Sequence, residues 1–191
     1  MTIIKGHNTF PPDVPQDTLI QAVIAAKKDN GLFGELYRLS VKRVFRYLYS
    51  RTGNREDAED LTAQTFLSAY EAFYRLKRDD RFIPWLFSIA RNKLNDHYRK
   101  RKPLSPLDSA DHVSENHNLL TEVIQSEQTA RLGELIRSLP EKDQELLRLR
   151  FLAELQFSEM GDVLHRREDT VKKQVYRLLS RIQKQMEVSH E

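Results

Sequence analysis

Apolar residues along most of this chain recur at the three- and four-residue intervals that line one face of a helix. The first strong stripe consists of Phe33, Leu36, Tyr37, Val41, Val44, Phe45 and Leu48. A second consists of Ala58, Leu61, Thr65, Ala69, Ala72 and Phe73. A third consists of Ile83, Leu86, Phe87, Ala90 and Leu94, followed by His97 or Tyr98. These stripes predict three amphipathic helices.

Polar and proline signals mark where the helices begin. Asn54 is a good N-cap for the second stripe, and acidic residues follow in the first turn of a helix that reaches about Leu76. Pro84 suits the first turn of the third helix, where a missing N–H removes no hydrogen bond. A shorter stripe from Leu19 to Ile24 predicts a leading helix after Asp17.

The second half of the chain repeats the helical pattern after a break. Its apolar stripes lie in residues 132–139, 146–151, 157–164 and 171–186, and Pro140 separates the first two. An alternating, strand-like pattern of any length is missing from the whole sequence. The sequence therefore predicts an all-α fold made of two small helical domains, the second containing a helix-turn-helix.

Charge divides the chain in the same places. Residues 76–103 carry nine basic and three acidic side chains, whereas residues 104–130 carry none and five. The acidic stretch is also rich in Ser, Asn, Asp and Pro, a composition typical of a flexible tether. We therefore expect a disordered tail at 1–16, a helical domain at 17–102, a linker at 103–129 and a second helical domain at 130–191.

Candidates for catalysis and for metal or cofactor binding are poor. Cysteine is absent, which excludes disulfides and thiolate sites and is typical of a reducing compartment. The six histidines are scattered, and no glycine-rich phosphate loop occurs. No window approaches the roughly 18 apolar residues of a membrane span. We expect a soluble intracellular protein with no catalytic residues, no metal, no cofactor and no membrane insertion of its own.

The pattern at residues 156–186, a short helix, a turn and a long helix, is the strongest functional signal. Asp169 is placed to N-cap the long helix, and residues 165–168 form the turn. Polar side chains opposite its apolar stripe are Lys172, Lys173, Gln174, Tyr176, Arg177 and Arg181. A helix with such a face fits the major groove of B-DNA and can reach base edges and phosphates. An ordinary solvated face of a helical bundle has the same spacing.

Two further surfaces have both a functional and a structural interpretation. Residues 91–102 are basic and lie near Trp85 and Phe87, and aromatic rings beside cations suit unstacked single-stranded bases. The same rings could instead be core. An acidic face on the second helix consists of Asp57, Asp60, Gln64, Ser68 and Glu71. This face could bind a basic partner helix or could simply be solvated.

Three motifs in series resemble the extracytoplasmic-function (ECF) class of bacterial RNA polymerase sigma factors. DAEDLTAQTFLSAY at 57–70 resembles the polymerase-binding helix of that family, and WLFSIARNKLNDHYRKR at 85–101 resembles its helix for the −10 promoter element. LIRSLPEKDQELLRLRF at 135–151, followed by TVKK at 170–173, resembles the domain that reads the −35 element. The resemblance covers about residues 17–102 and 130–187, in the order and spacing of the family.

The resemblance implies a role for each surface. The residues that would bind polymerase are Asp57, Asp60, Leu61, Gln64 and Thr65. The residues that would bind the −10 element and its melted non-template strand are Lys77, Arg78, Asp79, Arg81, Asn92, Lys93, Asp96, Arg99 and Lys100. The residues that would bind the duplex −35 element are Arg166, Arg167, Thr170, Lys172, Lys173, Gln174, Tyr176, Arg177 and Arg181. The implied partners are core RNA polymerase, through its largest-subunit coiled coil and its flap, promoter DNA, and an anti-sigma factor.

The family's mechanism further implies a cytoplasmic protein that a membrane-bound anti-sigma factor would hold at the inner membrane until a stress signal arrives. Several positions depart from the family pattern. His165 and Asp169 stand where glycines are usual, Arg166 and Arg167 replace apolar or proline residues of the turn, and Arg78 replaces a common glycine.

Two other functions remain as alternative hypotheses. A stand-alone helix-turn-helix regulator or antagonist would bind duplex DNA without polymerase. A helical hydrolase would require a bound metal.

Overall fold

The computed structural model describes residues 14–101 and 127–188 as two packed groups of α-helices. The N-terminal unit comprises α1 (Gln16–Lys28), α2 (Phe33–Thr52), α3 (Arg55–Ala72) and α4 (Phe82–Arg101). The C-terminal unit comprises α5 (Glu127–Ser138), α6 (Glu141–Leu147), α7 (Phe157–Leu164) and α8 (Glu168–Val188). No strand occurs within these two ranges, so the predicted all-α fold is confirmed. Most of the predicted tail and linker, residues 1–13 and 102–126, lies outside the described residues.

The helix boundaries follow from local chemistry. The Asn54 side chain accepts a hydrogen bond from the Asp57 amide at 3.0 Å, which confirms the predicted cap of α3. Gly53 ends α2 in the left-handed conformation, with φ of 63°, which a glycine adopts without steric cost. Pro84 lies in the first turn of α4, as predicted. The tight connections between elements are short 3₁₀ turns at Asn30–Leu32, Phe73–Arg75 and Asp79–Arg81.

The core of the N-terminal unit lies where α2, α3 and α4 meet, and α1 covers one side of it. Large side chains fill it, among them Leu36, Tyr47, Leu48, Phe82, Leu86 and Phe87. The rings of Tyr47 and Phe87 meet edge to face with centroids 5.6 Å apart, an arrangement that aromatic pairs prefer. This packing fixes the direction of α4 and hence of its polar outer face.

The C-terminal unit is a helix-turn-helix supported by α5 and α6. Its core consists of Leu146, Leu149, Leu155, Met160, Val163, Val171 and Val175, with other apolar residues around them. A π-helical turn at Arg148–Leu152 continues α6, where the apolar stripe predicts one uninterrupted helix. A bend at Ala153 and a short irregular segment at 154–156 connect the π-turn to α7.

The two units pack against each other through α4 and α7, and through α2 and the π-turn. Because a flexible linker permits many arrangements of two domains, the sequence does not predict how they pack. The structure shows them closed, and arginine and glutamate side chains form hydrogen bonds across the interface. This closed arrangement leaves the polar face of α8 exposed.

Candidate nucleic-acid and polymerase interfaces

The residues predicted to contact the −10 element lie on one connected surface formed by the loop before α4 and the outer face of α4. Exposed members of the set are Lys77, Arg78, Asn92, Asp96, Arg99 and Lys100. Asp79, Arg81 and Lys93 are half-buried. The structure thus brings together residues that are more than 20 positions apart in the sequence.

The charged side chains of this loop form ion pairs with α1, with α7 and with one another. Lys27 of α1 binds Asp79, and Arg81 binds Asp162 of α7 in the other unit. Within the loop, Arg78 donates to Asp80 at 2.6 Å, and this hydrogen bond lowers the pKa of the Asp80 carboxyl. All of these side chains retain substantial exposure, so each pair contributes little to stability, and a phosphate could replace the carboxylates.

The residues predicted to read the −35 element lie along the outer face of α8 and in the turn before it. Exposed members are Arg166, Arg167, Thr170, Lys172, Lys173, Tyr176, Arg177 and Arg181, and Gln174 is half-buried. The opposite face of the same helix is core, with Val171 fully buried. This division matches the face predicted from spacing. Arg181 also donates to Asp143 of α6 at 2.6 Å, which ties the far end of the surface to the domain.

The turn of the helix-turn-helix is tight despite its lack of a glycine. His165 adopts the left-handed conformation with φ of 54°, and the Arg166 amide donates to the Gly161 carbonyl at 2.8 Å. A Cβ at Gly161 would lie 2.7 Å from the Arg166 carbonyl oxygen, so the glycine of α7 is what admits the turn. The helix-turn-helix therefore forms although residues 165–167 differ from the usual family pattern.

The predicted N-cap of α8 is wrong by two residues. The helix begins at Glu168, so Asp169 lies inside its first turn and does not cap it. The Thr170 and Val171 amides donate to the Arg167 carbonyl, which makes Arg167 the capping position. Two carboxylates in the first turn stabilise the helix dipole and leave the N-terminus poorly suited to phosphate.

The acidic face of α3 is divided between surface and core. Asp60 and Gln64 are exposed, and half-buried Asp57 lies 3.8 Å from the His97 ring of α4. Leu61 and Thr65 are buried, with 2% and 0% exposure, and the Thr65 hydroxyl bonds to the Leu61 carbonyl. In this conformation these two side chains can support the helix but cannot contact a partner.

A polar centre that sequence reasoning did not indicate lies between the two units. The Glu145 carboxylate of α6 accepts hydrogen bonds from Tyr47 at 2.9 Å, from Arg91 at 3.1 Å and from Arg51 at 3.3 Å. Burial raises the pKa of the Tyr47 hydroxyl well above its ordinary value, and the carboxylate beside it acts in the same direction. One signal was present in the sequence, since Arg43, Tyr47 and Arg51 share one face of α2 at four-residue spacing.

A second interface contact involves the strained end of the π-turn. Glu154 is a non-glycine residue in the left-handed region, with φ of 55°. The Arg43 guanidinium donates to the Ala153 and Glu154 carbonyls at 2.8 and 3.1 Å, and Arg46 binds the Glu154 carboxylate. Arg43 of α2 thereby satisfies two backbone acceptors that follow the π-turn.

Within residues 14–101 and 127–188, no three His, Asp or Glu side chains cluster as a metal site would require. None of the helices in these ranges combines the length and the apolar character needed to cross a membrane.

Comparison with known proteins assigns both halves of the chain. The family model for Sigma-70 region 2 matches residues 36–103, and the model for Sigma-70, region 4 matches residues 129–182. The first match covers most of α2 and all of α3 and α4, and the second covers α6, α7 and most of α8.

Relatives with assigned functions agree with these models. The chain is 30% identical over 153 residues to the ECF RNA polymerase sigma factor SigM of Bacillus subtilis, covering 78% of this chain and 91% of SigM. SigW of the same organism is 25% identical over 171 residues, which cover 84% of this chain and 91% of SigW. BldN of Streptomyces coelicolor is 32% identical over 163 residues, or 83% of this chain, and the match spans 61% of that longer protein.

A solved structure shares the fold. The structure of CnrH in complex with the cytosolic domain of CnrY superposes with a TM-score of 0.61 at 21% identity, covering 91% of this chain and 98% of that chain. Both sigma regions are therefore present in their family order, on the helices that carry the candidate surfaces. The chain belongs to the ECF RNA polymerase sigma factors.

Proposed function

We propose that this sigma factor binds core RNA polymerase through the exposed part of the α3 face. Asp60 and Gln64 project from consecutive turns of a helix whose other side is core, so the face is rigid and acidic. Such a face complements the basic coiled coil of the polymerase largest subunit. The C-terminal unit would contact the flap. Leu61 and Thr65 would act by holding α3 in place.

Promoter reading is divided between the two units. The loop at 77–82 and the outer face of α4 would hold the melted −10 strand, where capture of a flipped base costs a few kcal/mol and so rewards the correct base. The face of α8 would read the −35 duplex. The observation that carries the proposal is the two-sided character of α8, with a fully apolar inner face and an exposed outer face bearing Lys172, Lys173 and Arg177.

Regulation is proposed on the basis of family membership. An anti-sigma factor would keep the protein from polymerase in the bacterial cytoplasm, and a membrane-bound anti-sigma factor would hold it at the inner membrane. Release by a stress signal would then start transcription of a dedicated set of promoters.

The test mixes the full chain with sigma-free core polymerase, followed by gel filtration and transcription from a promoter library. We expect co-elution and discrete transcripts. Asp60→Arg should abolish co-elution while the far-UV spectrum stays unchanged. Glu187→Arg is the matched control, because it reverses an exposed carboxylate at the distal end of α8 and should co-elute normally.

Two results would contradict the proposal. Failure of the wild-type chain to bind core, in conditions where another sigma factor binds, would remove the central claim. A salt-dependent footprint on duplex DNA by the chain alone would favour the stand-alone regulator.

A further inference from the structure

The backbone of Arg166 is held in place beside the exposed outer face of α8. Its amide is bound to the Gly161 carbonyl, and its carbonyl oxygen lies over Gly161, where any side chain would collide. The residue before it is already in the left-handed conformation. The backbone at Arg166 is therefore fixed beside α8, and the direction of its side chain follows from a hydrogen bond to α8.

The guanidinium of Arg166 reaches two helical turns along α8 to the side chain of Gln174. Arg166 Nη1 donates to Gln174 Oε1 at 3.1 Å. A guanidinium has only donors, so the oxygen of the Gln174 amide must face it and the NH₂ group must face away. The contact consequently fixes the orientation of an amide on the edge of the DNA-reading surface.

The orientation of that amide changes which base it can recognise. A free glutamine pairs with adenine by donating to N7 and accepting from the N6 amino group. Once Oε1 accepts from Arg166, one of its two lone pairs is occupied and the guanidinium beside it adds further donors, so the pair presents mainly donors to the groove. Guanine presents two acceptors in the major groove, whereas adenine presents one acceptor and an amino group that would compete with the guanidinium for the remaining lone pair of Oε1.

We propose that Arg166 determines the base preference of Gln174, so that this pair selects guanine over adenine at one position of the −35 element. The inference rests on the proposed −35 role of α8 and names a determinant of its specificity. Arg166 acts here as a positioning residue. Arg167, which is the capping residue of α8 and is also exposed, lies next to it and offers a matched comparison.

The experiment uses holoenzyme assembled from core polymerase and the full chain, with a promoter library randomised over the −35 element. Sequencing of transcripts gives the base preference at each position for wild type, Arg166→Ala, Arg167→Ala, Gln174→Ala and the double variant Arg166→Ala with Gln174→Ala. We expect Arg166→Ala to shift the adenine-to-guanine ratio at one position roughly tenfold toward adenine, the size of one bidentate base contact. Gln174→Ala should flatten the same position. Arg167→Ala should weaken all sequences alike, as loss of a phosphate contact does.

Three outcomes would overturn the proposal. The first is uniform weakening by Arg166→Ala, indistinguishable from Arg167→Ala. The second is an equally large shift from Arg166→Ala when residue 174 is already alanine, since Arg166 would then read the base by itself. The third is a wild-type holoenzyme with no preference anywhere in the −35 element, which would remove the proposed role of α8 as well. Thermal unfolding of each variant verifies that the exposed substitutions leave the fold intact.

Discussion

Replacement of Glu145 by alanine should open the molecule while each helical unit stays folded. Glu145 belongs to α6 of the C-terminal unit, whereas Tyr47, Arg51 and Arg91, the donors to its carboxylate, all belong to the N-terminal unit. The substitution therefore weakens the contact between the two units and leaves the apolar packing within each unit unchanged. Its effect on the closed–open equilibrium measures what the Glu145 carboxylate contributes to that contact.

The magnitude follows from burial. The Glu145 side chain is 10% exposed, and removal of one partner from a buried charged network typically costs about 3–5 kcal/mol. We expect the lower end, about 3 kcal/mol, because two of the donors keep other acceptors. Arg51 still pairs with Glu141, and Arg91 still donates to the Val163 carbonyl at 2.9 Å. A cost of about 3 kcal/mol shifts the equilibrium between closed and open forms roughly 150-fold.

Energy transfer between two dyes measures this equilibrium directly. The chain has no cysteine, so Glu71→Cys on α3 and Lys184→Cys on α8 can be labelled without background, and both positions are exposed. A urea series gives the free energy of opening from the loss of transfer before global unfolding. Far-UV circular dichroism over the same series shows that the helices persist.

Glu141→Ala is the matched control. Glu141 lies one turn earlier on α6 and also pairs with Arg51, but its side chain is 58% exposed. An exposed pair contributes about 0–1 kcal/mol, so this variant should shift opening at most about fivefold. Equal opening by Glu141→Ala and Glu145→Ala, or unchanged transfer in Glu145→Ala, would refute the argument from burial.

Three further outcomes are expected. Lys173→Ala should reduce transcription from promoters that depend on a −35 element roughly tenfold and spare promoters with only a strong −10 element; run-off assays on both classes check this. Burial raises the pKa of the Glu159 carboxyl, so above about pH 4.3 the unfolded state loses its proton first and the wild type should lose stability with rising pH relative to Glu159→Gln. Urea unfolding of both proteins from about pH 4 to 7 measures the difference, and parallel curves would contradict it. Glu154→Gly should be more stable than Glu154→Ala by about 1 kcal/mol, because both lose the carboxylate but only glycine relieves the left-handed backbone; equal urea midpoints would exclude that strain.

Local features of the fold were predictable because each depends on neighbouring residues alone. Helical spacing, the Asn54 cap and the position of Pro84 are all confirmed. The prediction failed where two local rules compete. Asp169 has the chemistry of an N-cap, but Glu168 before it already has helical geometry, so the cap moves to the turn.

The contact between the units could not be predicted in the same way. Tyr47 and Glu145 are 98 positions apart, and a pattern analysis assigns arginine and glutamate to solvent by default. Only the tertiary arrangement shows that Arg43 and Glu145 are nearly fully buried. The candidate surfaces were better placed by sequence, because an exposed face needs only the periodicity of its own helix.

The position of α7 between α4 and α8 limits what the closed protein can do on a promoter. Packed helix axes lie about 8–10 Å apart, so the two proposed reading helices are within roughly 20 Å of each other. Promoter elements near −10 and −35 are separated by about 25 base pairs, or about 85 Å of duplex. A closed molecule can therefore occupy at most one element at a time. Its apparent affinity for a complete promoter is reduced in proportion to the fraction of molecules that are open. The contacts between the units, including the hydrogen bonds of the buried Glu145 carboxylate, therefore lower the occupancy of DNA by a sigma factor without polymerase.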